Sequence, residues 1–195
     1  MNAVPEEVLR ARAYLSRVAE PPAPGLAELV AEIGPVRAAE RVRRGELGER
    51  AAAETSARRS VERAEADLRA AAAAGVRLLT PEHPDWPAAP LADLAACGVG
   101  DLAPPVALWV RGPGHLAALC ARAAGVVGAR AATAYGLHVA GEFGAGLAGT
   151  GHTVVSGAAI GIDGAAHRGA LGVTGPTVAV LACGADRAYP AAHQG

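Results

Sequence analysis

The first 75 positions alternate charged and apolar residues at helical spacing. Over residues 5–19, charges separate Val8, Leu9, Leu15 and Val18, which predicts an amphipathic helix. Prolines at 21, 22 and 24 end it, because proline lacks the N–H that the helix ladder needs. Leu26, Leu29, Val30 and Ile33 then recur at helical spacing, and Gly34-Pro35 separates them from a second short helix, Val36 to about Arg44. Two short helices around a Gly-Pro turn form a hairpin, a device found in small DNA-contacting modules and more commonly used for packing alone. Residues 49–74 are rich in Ala, Glu and Arg and hold no Pro or Gly, so one long helix closed by Gly75 is expected.

The pattern changes at residue 76. Val76 to Leu79 and Pro105 to Val110 are strand candidates, separated by a turn-rich stretch from Pro81 to Pro87. From about residue 116, β and α signals alternate. Strands are expected over 124–127, 153–155 and 177–181, with helices over 135–148 and 162–171. This alternation predicts a parallel sheet covered on both faces. The expected fold is therefore α/β: an all-helical domain over residues 1–75, then a Rossmann-like parallel sheet over 76–195.

Charge follows the same division. Residues 1–75 carry 12 Arg against 12 acids, whereas 123–195 carry only Arg130, Arg168 and Arg187 against Glu142, Asp163 and Asp186. The first part reads as a solvated helical surface and the second as a buried sheet. All 18 basic residues are Arg, a bias that codon usage explains without any special chemistry. The net charge of −1 gives no global attraction to nucleic acid, so any such contact must be local. Three cysteines without a C-x-x-C pair argue against a disulfide framework or a zinc site. The charges of Glu6, Glu7 and Arg10 argue against a signal peptide, and no apolar run reaches the ~20 residues of a membrane span, so a cytoplasmic protein is expected.

Two strand-to-helix junctions carry the candidate chemistry. The first is Val127-Gly128-Ala129-Arg130, leading through Thr133 into a helix; the second runs from Val155-Ser156-Gly157 through Gly161 to Asp163. In an open parallel sheet both lie at the carboxyl ends of strands, where ligands bind. Glycines there let backbone N–H groups approach a phosphate at a helix N-terminus. Arg130 can add a bidentate grip and Ser156 a hydroxyl donor. A purely structural role for either loop stays equally open. Neither loop has the dinucleotide G-x-G-x-x-G or the Walker Gly-Lys-Ser/Thr, which removes the main support for a dehydrogenase or an ATPase. Asp163 and His167 share a helix face. They read either as an acid–base pair or, with no nucleophile or second carboxylate nearby, as a helix cap and a packing hydrogen bond. The remaining histidines lack ligand spacing, so neither a metal nor a cofactor is expected.

Taken together, these motifs resemble one family. Val126 to Arg130 with Thr133 and Tyr135-Gly136 resembles the V-G-[S/A]-R-x-x-T-x-Y-G signature of the DprA (Smf) DNA-processing proteins. Val154 to Leu171 is similar to that family's V-S-G-x-A-x-G-I-D-x-x-A-H-x-x-A-L. Val178 to Gly184, with Asp186, Tyr189-Pro190 and His193, is similar to its A-V-L-x-x-G-x-D-x-x-Y-P-x-x-H. The resemblance covers about residues 76–195, and the N-terminal helices fit it more loosely as a sterile-alpha-motif-like domain. It implies an extended Rossmann fold that binds single-stranded DNA through the phosphates, dimerises, and delivers the strand to the RecA recombinase in natural transformation, with no bond made or broken. The implied contact set is Gly128, Ala129, Arg130, Ser156, Gly157 and Gly161, with Asp163 and His167 shaping the loops.

The chain departs from the family pattern in two ways. Ile160 stands where many relatives have Arg, which implies one cationic contact fewer. The chain also ends just after the Tyr-Pro-x-x-His motif, so further strands and the dimer and RecA surfaces are expected beyond it, and a truncated remnant is the first alternative. The second alternative, a Rossmann-like nucleotide phosphoribohydrolase, lacks its Gly-Gly-Gly-x-Gly-Thr loop here.

Overall fold

A computed structural model describes residues 3–99 and 101–190. His193 of the third motif lies outside them. The contacts divide the chain into two compact units, Met1–Gly112 and Pro113–Gly195.

The first unit is mainly helical. α1 (Glu6–Val18), α2 (Pro24–Ile33) and α3 (Pro35–Arg44) follow the predicted pattern, each of the latter two with proline in its first turn. That position suits proline because the first N–H groups of a helix have no partner in the ladder. Tyr14, Leu15, Val18, Leu26, Ala38 and Val42 are wholly buried and form the core. The single helix expected over 49–74 is instead α4 (Glu49–Thr55), a 3-10 turn (Ser56–Arg58) and α5 (Ala64–Ala73). Tertiary bonds explain the break. The Glu54 carboxylate accepts from the N–H groups of Gly25 and Leu26 at 3.0 and 2.8 Å, capping the start of α2. Arg58 donates to the Ala19 carbonyl at 3.0 Å, and the Arg59 carbonyl accepts from the Tyr14 hydroxyl at 2.7 Å. A straight helix could not satisfy all of these groups, and helix propensity is too weak to override them.

β1 (Val76–Leu79) and β2 (Leu108–Arg111) form an antiparallel ribbon. Leu78 and Trp109 pack against the helical core, which places the ribbon in the first unit. β2 starts later than expected, after Pro104-Pro105, neither of which can donate to a ladder. α6 (Ala88–Ala96), which the hydrophobic pattern did not signal, lies between the two strands. Arg12 is 6% exposed, and both terminal nitrogens of its guanidinium are engaged, while Nε has no hydrogen-bond partner among the described residues. It donates to the Val106 carbonyl at 3.0 Å and to Glu82 at 2.5 Å. Burial alone would push the Glu82 carboxyl up, but hydrogen bonds from Arg12 and the local backbone, with the Arg12 charge, bring it below the usual glutamate value.

The second unit opens with α7 (Leu116–Ala121) and then alternates β3 (Ala123–Gly125), α8 (Ala134–Gly149), β4 (Thr153–Ser156), α9 (Ile162–Gly172) and β5 (Thr177–Ala179). The strands are parallel in the order β3-β4-β5. Two successive crossovers that advance in one direction place their helices on one face of the sheet. Accordingly Val154, under α8 and α9, is wholly buried, while its neighbour Val155 on the other face is only half-buried. Within this unit α8 and α9 thus share one face of the sheet, whereas cover on both faces was expected. The two helices touch backbone to backbone. A Cβ built on Gly144 would lie 2.2 Å from the Ala166 carbonyl oxygen, and one on Gly169 would lie 2.0 Å from that of Gly141. No helix among the described residues is long and apolar enough to cross a membrane.

Candidate functional site

The carboxyl ends of the three parallel strands open into a cleft of about 550 Å³. Its first wall is the β3–α8 loop, with Val127, Gly128 and Arg130; its second is the β4–α9 loop, with Gly157, Ala159 and Asp163. Its third wall follows β5 and presents Val180, Ala182, Cys183 and Tyr189.

The two glycine-bearing loops are fastened to each other. Asp163, 7% exposed, accepts from the Gly128 N–H at 3.3 Å. The Ile162 N–H donates to the Ala129 carbonyl at 3.2 Å. Close approach requires glycine at two points. A Cβ on Gly128 would lie 2.8 Å from the Ile162 side chain, and one on Gly161 would lie 2.3 Å from the Ala129 carbonyl oxygen. Gly161 also has φ +99°, a conformation L side chains rarely adopt. The sequence pattern read these glycines as phosphate cradles; in the structure both also serve contact between the loops. The other oxygen of Asp163 lies 2.9 Å from where a Cβ on Gly157 would stand, so one carboxylate is wedged between the two walls.

Of the expected contact set, Gly128, Arg130 and Gly157 line the cleft, whereas Ala129, Ser156 and Gly161 do not. Ser156 is 2% exposed, at the end of β4, and its hydroxyl has no hydrogen-bond partner among the described residues. Arg130 is exposed and makes no hydrogen bond or ion pair with any described residue. No described acceptor takes the N–H groups of Gly157 or Ala159. Asp163 does not cap α9, whose N-cap residue is Gly161. Thr133 does cap α8, accepting from the Gly136 N–H at 3.1 Å. His167 faces the sheet: the Thr177 hydroxyl donates to the Val154 carbonyl at 2.9 Å, so His167 Nδ1 is the donor to Thr177 at 2.5 Å. Asp163 and His167 therefore engage different partners. The segment of the third wall was recognised in the sequence as a family motif but given no contact residues, although the strand-end rule applies to β5 as it does to β3 and β4.

The architecture defines a Rossmann-like α/β protein with a cleft at the carboxyl ends of a parallel sheet. DNA processing protein A (DprA) from Streptococcus pneumoniae shares this fold, with a TM-score of 0.62 at 24% identity over 100% of this chain and 63% of that one. Residues 77–195 match the family described as DNA recombination-mediator protein A, and the chain belongs to that family. Sequences named DNA processing protein DprA from two strains of Mycobacterium tuberculosis, CDC 1551 / Oshkosh and H37Rv, are each 54% identical over 189 residues. The match takes in 94% of this chain and 48% of theirs, so the chain spans about half the length of these curated relatives.

Proposed function

We propose that this chain binds single-stranded DNA by its phosphates and serves a recombination mediator, holding the strand without making or breaking a bond. The observation that carries this reading is the meeting, in one cleft, of an Arg130 guanidinium and the N–H groups of Gly157 and Ala159, none of which is engaged by a described residue. Oriented backbone donors beside a cation are a general recipe for phosphate binding. A recess at a sheet edge suits a flexible single strand better than a rigid duplex. Protection of incoming DNA, delivery to the RecA recombinase, dimerisation and a cytoplasmic location belong to the same proposal and rest on family membership. The non-enzymatic reading draws support from Asp163 and His167, the nearest acid–base candidates, being committed to loop and sheet contacts.

Fluorescence anisotropy with labelled oligo(dT) and a matching duplex tests this. Wild-type chain should prefer the single strand and weaken as salt rises. A hydrogen bond to a charged group contributes about 1.5–3 kcal/mol. At 1.36 kcal/mol per decade, Arg130→Ala should therefore lose about ten- to a hundredfold in affinity. Arg168→Ala, exposed on α9 and outside the cleft, is the control and should bind nearly as wild type. Wild-type affinity in Arg130→Ala, or equal affinity for duplex, would sink the proposal.

A further inference from the structure

We propose that the outward face of α3 is a second nucleic-acid contact, where a row of Arg37, Arg41 and Arg44 holds the phosphate backbone of duplex DNA without reading its sequence. The row belongs to the helical unit, outside the cleft, and does not depend on the phosphate reading of Arg130.

α3 concentrates positive charge in a chain whose net charge is −1. Its ten residues carry four arginines against one acid, Glu40. Ala38, Ala39 and Val42 form its inward side and are wholly buried. At about 100° per residue, Arg37, Arg41 and Arg44 fall within an arc of roughly 60° on the other side, and all three are exposed. With a rise of about 1.5 Å per residue they stand roughly 6 and 4.5 Å apart along the helix.

Their partners set them apart from their neighbours. Arg10, Arg17, Arg50 and Arg58 of the same unit each meet an acidic side chain. Arg43 of α3 is held between Glu62 and the ring of Tyr14. Among the described residues no carboxylate pairs with Arg37, Arg41 or Arg44. Arg41 Nε donates to the Glu46 carbonyl at 2.9 Å, which orients the side chain and leaves its charge uncompensated. The Arg59 guanidinium reaches the same end of the helix, in the space that a Cβ on Gly45 would need. Helix electrostatics does not account for the row. The dipole favours cations in the last turn, which suits Arg41 and Arg44, but disfavours one in the first, where Arg37 stands.

The chemistry of the row selects its partner. A protein interface builds on an apolar and aromatic centre. The exposed large apolar side chains of this unit are Val99 and Leu102, neither of them on α3. Cations in line with no such neighbour fit a repeating anion instead. Carried on the outward side of a helix, they can reach the phosphates of a rigid duplex, which a recessed cleft does not admit. Phosphate contacts position a protein and carry no sequence information.

Fluorescence anisotropy with two labelled duplexes of unrelated sequence tests the row. Wild-type chain should bind both alike, and more weakly than oligo(dT). The triple variant Arg37→Gln, Arg41→Gln, Arg44→Gln should lose most of this duplex affinity at low salt. Three phosphate contacts add about −2.7 to the slope of log affinity against log salt, so the ratio of wild-type to variant affinity should fall roughly fortyfold between about 50 and 200 mM. The corresponding triple Arg→Lys variant keeps three point charges and should bind duplex nearly as wild type does. That comparison separates charge from any structural part the arginines play. Arg69→Gln, which loses a partner of Glu65 on α5, is the control and should match wild type. Arg130→Ala should weaken oligo(dT) and leave duplex affinity unchanged, so failure of the cleft reading and failure of this one are told apart. No duplex binding by wild type, unchanged duplex affinity in the glutamine variant, or an equal loss in the lysine variant would overturn the proposal. So would a glutamine variant that loses binding to labelled poly-glutamate and keeps its affinity for duplex, the mark of an acidic protein partner.

Discussion

Replacing glycine by alanine at two positions of α8 should have opposite effects, although the positions are only two residues apart. In the interior of an exposed helix this change stabilises by about 0.5–1 kcal/mol, because alanine loses less backbone entropy on folding. Gly146 has nothing within 4 Å of where its Cβ would stand, so Gly146→Ala should show that gain in full. At Gly144 the added carbon would meet the Ala166 carbonyl oxygen at 2.2 Å, whereas ordinary contact begins near 3.4 Å. The helices must separate locally by roughly 1 Å, and overpacking of this kind costs about 1–3 kcal/mol. The same helix-propensity gain offsets part of that cost, which leaves Gly144→Ala neutral to about 2.5 kcal/mol destabilised. The difference between the two variants isolates packing, since the unfolded-state effect is common to both. Hydrogen–deuterium exchange of the α8 and α9 amides is the right assay, because it reads local stability and needs no two-state assumption for a chain of two units. Equal protection gains in both variants would refute backbone contact between α8 and α9.

Gly161→Ala should cost about 1–3 kcal/mol from backbone strain alone, and more from the 2.3 Å clash with the Ala129 carbonyl; single-strand binding and exchange of the two loops should fall together. Arg12→Ala should destabilise by about 1.5–3 kcal/mol, the contribution of a hydrogen bond to a charged group, because the Glu82 carboxylate left behind is partly exposed; urea unfolding followed by Trp86 and Trp109 fluorescence reads the unit concerned. The Glu82 carboxyl sits below its ordinary value of 4.5, so its contribution is present above that pH and is lost as pH falls through the lower folded value. Urea midpoints between pH 7 and pH 3 should therefore drop more steeply for wild type than for Glu82→Gln, and parallel slopes would refute the assignment.

The periodic parts of the fold were legible because their signals are local. Pro24 and Pro35 mark helix starts, and the β-rich runs ending at Ser156 and Ala179 mark strands. The break at Ser56 to Arg63 was not legible, because its causes are partners distant in sequence: Gly25, Leu26, Ala19 and Tyr14. The two Gly-rich junctions form two walls of the cleft, and Gly128, Arg130 and Gly157 line it. The pattern could not tell which groups would be consumed by loop-to-loop contact. Gly128 gives its N–H to Asp163, and Ser156 is buried by the strand alternation that leaves Gly157 at the rim. Tyr189 was visible only as part of a family motif and was given no contact role, because it follows β5 by several residues of irregular chain on which no periodicity reports.

The buried Arg12 bears on the order in which the chain can mature during synthesis. The terminal nitrogens of its guanidinium bond to Glu82 and to the carbonyl of Val106, 94 residues downstream. Until that stretch has left the ribosome, burying the inward face of α1 would strand a positive charge without a counterpart, at a penalty of several kcal/mol. The N-terminal helices therefore do not reach their final packing when their own sequence is complete. They must wait, at about 5–20 residues per second, for several seconds with an apolar face open. A nascent chain stalled before residue 106 should be a substrate for chaperones, and one stalled well beyond it should not.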